Sequence, residues 1–186
     1  MNRRHALSLL LAGLPLAGCM RPRTTAAFVD VRAAGAYTLA TGDRLRIIVF
    51  GQDTLSNIYQ IDASGRIAMP LIGPVVVGGV STTAAALAIE AKLKAGFIRE
   101  PKVTVEVDTY RPFFILGEVT TSGQFPYVNG MTVQTAVAIA GGFTPRAERD
   151  VAEVTRRTAR GIVAVEVPIT YAVRPGDTIT IKERWF

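Results

Sequence analysis

Residues 37–51 read YTLATGDRLRIIVFG, and how this stretch is taken decides the fold of the chain. Leu45, Ile47 and Val49 alternate with Arg44, Arg46 and Ile48, the period of two expected of a strand with one buried face. Gly42-Asp43 ahead of it is a turn signal. The phrase returns near the far end as Val173-Arg174-Pro175-Gly176-Asp177-Thr178-Ile179-Thr180-Ile181, where Ile179 and Ile181 occupy the places of Leu45 and Ile47. Two Gly-Asp turns, each launching an alternating strand, bracket the chain.

Residues 37–110 read as a first unit. After the opening strand, Gln52 to Tyr59 is a polar connection, and Ile61 to Pro70 predicts a hairpin with its tight turn at Ser64-Gly65. Pro70 and Pro74 interrupt any ladder, so Leu71 to Val80 is expected to be irregular or an edge segment. Ser81 or Thr82 caps a helix running to about Gly96, with Ala84, Leu87, Ala88, Ala91 and Ala95 as its apolar stripe and Glu90, Lys92 and Lys94 facing water. Lys102 to Asp108 then alternates strictly and predicts another strand.

Residues 111–186 read as a second unit. Phe113 to Val119 is a buried strand, Thr121 to Gln124 a turn, and Phe125 to Val128 a short partner strand. Thr132 caps a helix whose Val133, Ala136, Val137 and Ala140 share a face, and Gly141-Gly142 ends it. Strands follow at Val151 to Arg157, Gly161 to Val167 and Thr178 to Lys182. The fold class is therefore α+β, a small sheet-and-helix domain followed by a helix crossing a mixed sheet, the arrangement called a β-grasp.

The N-terminal residues read differently. Arg3-Arg4, the apolar run from Ala6 to Pro15, and Leu16-Ala17-Gly18-Cys19 form a positive start, a hydrophobic segment and a small-residue cleavage site. The run is too short for a permanent membrane span. Its ending resembles the lipobox of bacterial lipoproteins, which implies a signal peptide over residues 1–18 and acylation of Cys19. Residues 19–36 have no sustained period and read as a tether. Met20 stands where an aspartate retains lipoproteins in the inner membrane of some bacteria, so the analogy favours the outer membrane.

Cys19 is the only cysteine and His5 the only histidine. Beyond Cys19 there is accordingly no disulfide, no Ser-His or Cys-His nucleophile pair, no His-ligated metal and no cysteine zinc site. No enzyme activity, metal or other cofactor is expected. The formal charge of +6 falls to +4 when Arg3 and Arg4 are removed. Basic proteins often bind nucleic acid, but an export signal and singly scattered arginines argue against it here and leave anionic lipids, acidic glycans or a plain solvated surface.

These residues taken together resemble the outer-membrane polysaccharide export family. The first unit resembles its polysaccharide export domain through Tyr37, Leu39, Gly42-Asp43, Leu45, Ile47, Val49-Phe50-Gly51, then Ile61-Asp62, Gly65, Ile67, Pro70 and Ile72-Gly73, then Glu100-Pro101, Val103 and Val105. The second resembles the soluble-ligand-binding β-grasp domain through Leu116-Gly117-Glu118-Val119, Gly123, Tyr127, Thr132 through Ala140-Gly141-Gly142, and Pro175-Gly176-Asp177. The resemblance implies a lipid-anchored subunit, in the outer membrane and facing the periplasm, of a capsular or exopolysaccharide export complex.

Its implied partners are the polysaccharide, further copies in a ring around a cavity, and a polysaccharide copolymerase of the inner membrane. Members that cross the outer membrane themselves carry an amphipathic helix after the last β-grasp domain, whereas this sequence stops at Arg184-Trp185-Phe186. The expectation is thus a short form that relies on a separate outer-membrane barrel or on its lipid anchor alone. A monomeric glycan-binding periplasmic lipoprotein stays open as the alternative. Gly42, Asp43, Gly65, Gly117, Glu118, Gly123, Gly141, Gly142, Gly176 and Asp177 are the candidate positions, read first as turns and caps and second as glycan contacts. Glu118 could pair with an arginine such as Arg111 at a subunit contact, and a Glu106/Glu118 acid pair of glycosidase type has no geometry in the sequence to support it.

Overall fold

A computed structural model describes residues 37–158 and 161–185. The first sheet has the order β2-β1-β5, built from β1 (Arg44–Val49), β2 (Asn57–Gln60) and β5 (Val103–Thr109), all antiparallel. Leu45, Ile47 and Val49 point inward and are fully buried. They meet Ile89 and Leu93 of α1 (Thr82–Lys94), with Leu39, Leu55, Ile61, Ile67, Val75 and Val77 closing a single core. β3 (Arg66–Met69) and β4 (Gly73–Val76) form a separate two-stranded ribbon on that core.

The structure corrects three expectations in this unit. The polar connection contains β2, whose pairing with β1 (Leu45 opposite Tyr59, Ile47 opposite Asn57) exists because the edge of β1 is available. The hairpin lies one strand later: β3 pairs with β4, not with the segment before Gly65. The reason is local. The Asp62 carboxylate accepts the N–H groups of Ser64 and Arg66 and the Ser64 hydroxyl, curling residues 62–66 into a turn. The tight reversal falls instead at Pro70 to Ile72, with Leu71 at a φ of 67°, and Pro74 sits opposite Ala68 on an edge strand, where proline is tolerated.

The third correction concerns α1. Its N-cap is Ser81, which accepts from Ala84 N–H as capping requires, but its buried stripe is Ala85, Ile89 and Leu93. Leu87 is 62% exposed. Glu90 does not simply face water, because its carboxylate accepts the Val103 N–H and ties the helix to β5.

The second sheet has the order β7-β6-β10-β8-β9, from β6 (Phe113–Gly117), β7 (Gly123–Phe125), β8 (Val151–Thr158), β9 (Gly161–Pro168) and β10 (Thr178–Ile181). β10 runs parallel to β6 and antiparallel to β8, the central parallel pair of a β-grasp. β7 begins two residues earlier than the expected partner strand, since Gly123 opposes Ile115 and Phe125 opposes Phe113. α2 (Val133–Ile139), capped by Thr132, lays Val133, Ala136 and Val137 across the sheet against Phe113, Ile115, Ile179 and Ile181. Among the described residues no helix is long and apolar enough to cross a membrane.

Candidate functional site

The two Gly-Asp turns stand 134 positions apart in sequence (176 against 42), yet they meet at one side chain. A Cβ built on Gly42 would lie 3.5 Å from Arg111 Cβ, and one built on Gly176 would lie 2.6 Å from Arg111 Nε. Arg111, on the short link between β5 and β6, is thus gripped between the turn that opens the first sheet and the turn that launches β10. Gly176 N–H also donates to the Pro112 carbonyl at 3.0 Å.

Each turn buries its aspartate. Asp43 has no exposed surface and accepts Ala40 N–H (2.9 Å), Arg111 N–H (3.0 Å) and the Tyr37 hydroxyl, with the Arg111 guanidinium at 3.4–3.5 Å. Asp177 accepts Arg174 N–H (2.7 Å) and a bidentate pair of bonds from Arg156 Nε (2.8 Å) and Nη2 (2.7 Å). In both cases the arginine also lies near a tyrosine ring, Arg111 at 5.9 Å from Tyr37 and Arg156 at 5.5 Å from Tyr171, a favourable cation-to-ring contact. The same Asp-Arg-Tyr cluster is therefore built twice.

Around the joint lies a cleft of about 1020 Å³, lined by Tyr37-Thr38, Ala40-Thr41, Tyr110-Arg111, Tyr127, Asn129-Gly130, the end of β8 and residues 172–177. Tyr110 is the hub of an edge-to-face array, with ring centres 5.1 Å from Tyr37 and 5.4 Å from Tyr127. Burial, with the Asp43 hydrogen bond second, pushes the Tyr37 phenol well above its ordinary range. Burial also raises Tyr127, so both phenols stay protonated donors at neutral pH. Four arginines, Arg111, Arg156, Arg157 and Arg174, line the cleft. Arg111 and Arg156 are committed to Asp43 and Asp177. Among the described residues no side-chain ion pair involves Arg157, which is exposed, or Arg174, which is half-buried.

The remaining candidate positions lie elsewhere. Gly65 lets the chain cross itself, its carbonyl accepting Val77 and Gly78 N–H. Gly117 ends β6 at a φ of 86°, where a Cβ would strike the Ile181 carbonyl oxygen. Gly123 opens β7, and Gly141 and Gly142 follow α2, their carbonyls accepting the Thr120 hydroxyl. Glu118 accepts from the Thr144 hydroxyl, while Arg111 within the chain turns to Asp43. Glu106 sits on β5 in the first sheet and Glu118 follows β6 in the second, and neither lines the cleft. Cys19 lies outside the described residues.

The tyrosines and arginines of the cleft were absent from the candidate set, although one signal for them is present. Tyr37 precedes Asp43 by as many residues as Tyr171 precedes Asp177, and Leu39 matches Val173, so the repeat runs Tyr-x-Leu/Val-x-x-Gly-Asp rather than beginning at the glycine. The arginines carry no such local mark, because Arg111 is 68 residues from Asp43 and Arg156 is 21 from Asp177.

Comparison with known proteins accords with this two-part architecture. Residues 31–108 match the family described as polysaccharide biosynthesis/export protein, and residues 112–171 match the SLBB domain. An exopolysaccharide production protein of Rhizobium meliloti, ExoF, is 30% identical over 158 residues, which cover 76% of this chain and 37% of that protein. A polysialic acid transport protein of Escherichia coli, KpsD, is 27% identical over 126 residues, covering 67% of this chain and 23% of that protein. The chain spans little more than a third of the first relative and about a quarter of the second.

Proposed function

The chain belongs to the polysaccharide export protein family, and on that premise we propose that it is a lipid-anchored, periplasm-facing outer-membrane subunit of a capsular or exopolysaccharide export complex. It assembles with copies of itself around a passage for the polymer and meets an inner-membrane copolymerase. The observation that carries this reading is the cleft itself: a wide, open joint walled by tyrosines and arginines, with Asp43 and Asp177 both tied into ion pairs. Such a lining suits steric and polar guidance of sugars, since aromatic faces cover apolar sugar faces and guanidinium groups donate to oxygen.

Assembly is supported by sheet edges without a partner among the described residues. β9 is an edge of the second sheet and exposes Ile162 (67%), Val163 and Val165. Unprotected apolar edges invite pairing, and closed rings satisfy them. Deletion of the gene should trap polymer in the periplasm. Normal surface polysaccharide in the deletion strain would overturn the export reading. The mass of the purified protein separates a ring from the monomeric glycan-binding alternative.

A further inference from the structure

We propose that β9 receives a second copy of this chain: two β9 strands pair antiparallel across a two-fold axis at Ala164, joining the second sheets of both copies into one. The inference deepens the self-assembly part of the export reading, on which it rests, by naming the strand and its symmetry.

The ladder of β8 and β9 decides which groups face outward. Ile169 N–H donates to the Asp150 carbonyl at 3.1 Å, and the register then runs without a shift from Val151 opposite Pro168 to Thr158 opposite Gly161. Antiparallel bonds alternate along such a ladder. Val163, Val165 and Val167 therefore bond to β8, while Ile162, Ala164 and Glu166 turn their N–H and C=O groups to the open edge. From Gly161 to Val167 that edge carries no proline, lysine or bulge to block a partner. Pro168, with no N–H, ends it.

A second β9 fits this edge with the axis at Ala164. Ala164 then faces its own counterpart and Ile162 faces Glu166, so every outward group from Ile162 to Glu166 is satisfied. An axis at Val165 would set Ile162 against Pro168 and lose a bond. On the face shared with buried Val154, Val163 meets Val165 of the second copy twice, covering side chains that are 44% and 42% exposed. On the other face Arg157 lies beside Ile162, exposed and without an ion pair among the described residues. The next residue in that row across the joint is Glu166 of the second copy, its backbone about 10 Å from that of Arg157, a gap the two side chains span together. This self-complementary charge and valine packing favour the same chain over an unrelated peptide. A two-fold pair closes on itself, so growth to a ring falls to the other edges, β2, β5 and β7.

The test is oxidative cross-linking of the full chain in a Cys19→Ser background, which leaves an introduced cysteine as the only one. Copper phenanthroline should convert most of Ala164→Cys into a disulfide-linked dimer, because the paired Cα atoms lie about 5.5 Å apart. Glu166→Cys, about 14 Å from its counterpart, should stay monomeric on a denaturing gel. Ala164→Pro removes only an outward N–H and should abolish the pair in sedimentation with the urea midpoint unchanged. Arg157→Glu should weaken it about tenfold, and adding Glu166→Arg should restore it. No dimer from Ala164→Cys, or equal cross-linking at Glu166→Cys, would overturn the proposal, as would an undiminished pair in a folded Ala164→Pro chain. If Ala164→Pro fails to fold, the cross-link decides. The deletion strain keeps the two readings apart: trapped polymer with an unlinked Ala164→Cys sinks the pairing alone, whereas normal surface polysaccharide with efficient cross-linking at residue 164 sinks the export reading alone.

Discussion

Replacing Arg156 with methionine keeps most of the side-chain volume and removes the charge that faces Asp177. That carboxylate is 1% exposed and accepts three hydrogen bonds, two of them from the lost guanidinium. What remains is a buried anion with one backbone N–H, a defect that costs about 3–5 kcal/mol. The matching change at the other turn, Arg111→Met, is much milder. Asp43 keeps Ala40 N–H, the backbone N–H of residue 111 and the Tyr37 hydroxyl, and loses only a guanidinium at 3.4–3.5 Å, worth about 1 kcal/mol. Domains of this size have about 5–15 kcal/mol in all, and with a urea slope of about 1–3 kcal/mol/M the Arg156 variant should shift its midpoint by about 2 M. Urea unfolding followed by circular dichroism reads both variants. Adding Asp177→Asn to Arg156→Met removes the stranded charge and should recover about 1–2 kcal/mol. The reasoning is refuted if the two arginine variants are equally destabilised, or if Asp177→Asn makes the Arg156 variant worse.

Three further outcomes follow from the same geometry. Gly117→Ala should destabilise by about 3 kcal/mol or more in thermal unfolding, because the new Cβ would collide with the Ile181 carbonyl oxygen from a left-handed backbone, whereas Gly51→Ala, with open space around it, should cost about 1 kcal/mol. Ile89→Ala on the buried stripe of α1 should cost about 2–5 kcal/mol, while Leu87→Ala, at 62% exposure, should change the urea midpoint little. The Tyr37 phenol, raised by burial and then by Asp43, contributes stability that is complete below the unfolded tyrosine value of about 10 and is lost as pH climbs beyond it. Near-ultraviolet absorbance should show this phenol titrating after the exposed ones, and Tyr37→Phe should flatten the alkaline loss of stability.

Much of the fold is legible because burial on one face imposes a period. Leu45, Ile47 and Val49, or Ile179 and Ile181, announce their strands without help, as does the Thr132 cap with Val133, Ala136 and Val137 behind it. Where that constraint is missing, reading fails. Asn57 to Gln60 is exposed at three of four positions and becomes a strand only because β1 offers an open edge. In α1 the run Ala84 to Ile89 is apolar on every side, so composition cannot say which face turns inward. The sheet chooses Ala85, Ile89 and Leu93.

The same division holds for the cleft. Local sequence alone determined the two Gly-Asp turns, their leading tyrosines and the strands they launch, because the hydrogen bond each aspartate accepts from the amide N–H three residues back is a matter of short-range geometry. Only the tertiary structure decided that both turns close on Arg111 and that Arg156 reaches Asp177. Those are encounters between distant parts of the chain, the first set by how two separately buried cores meet and the second by the pairing of β8 with β10, and no neighbour in the sequence records them.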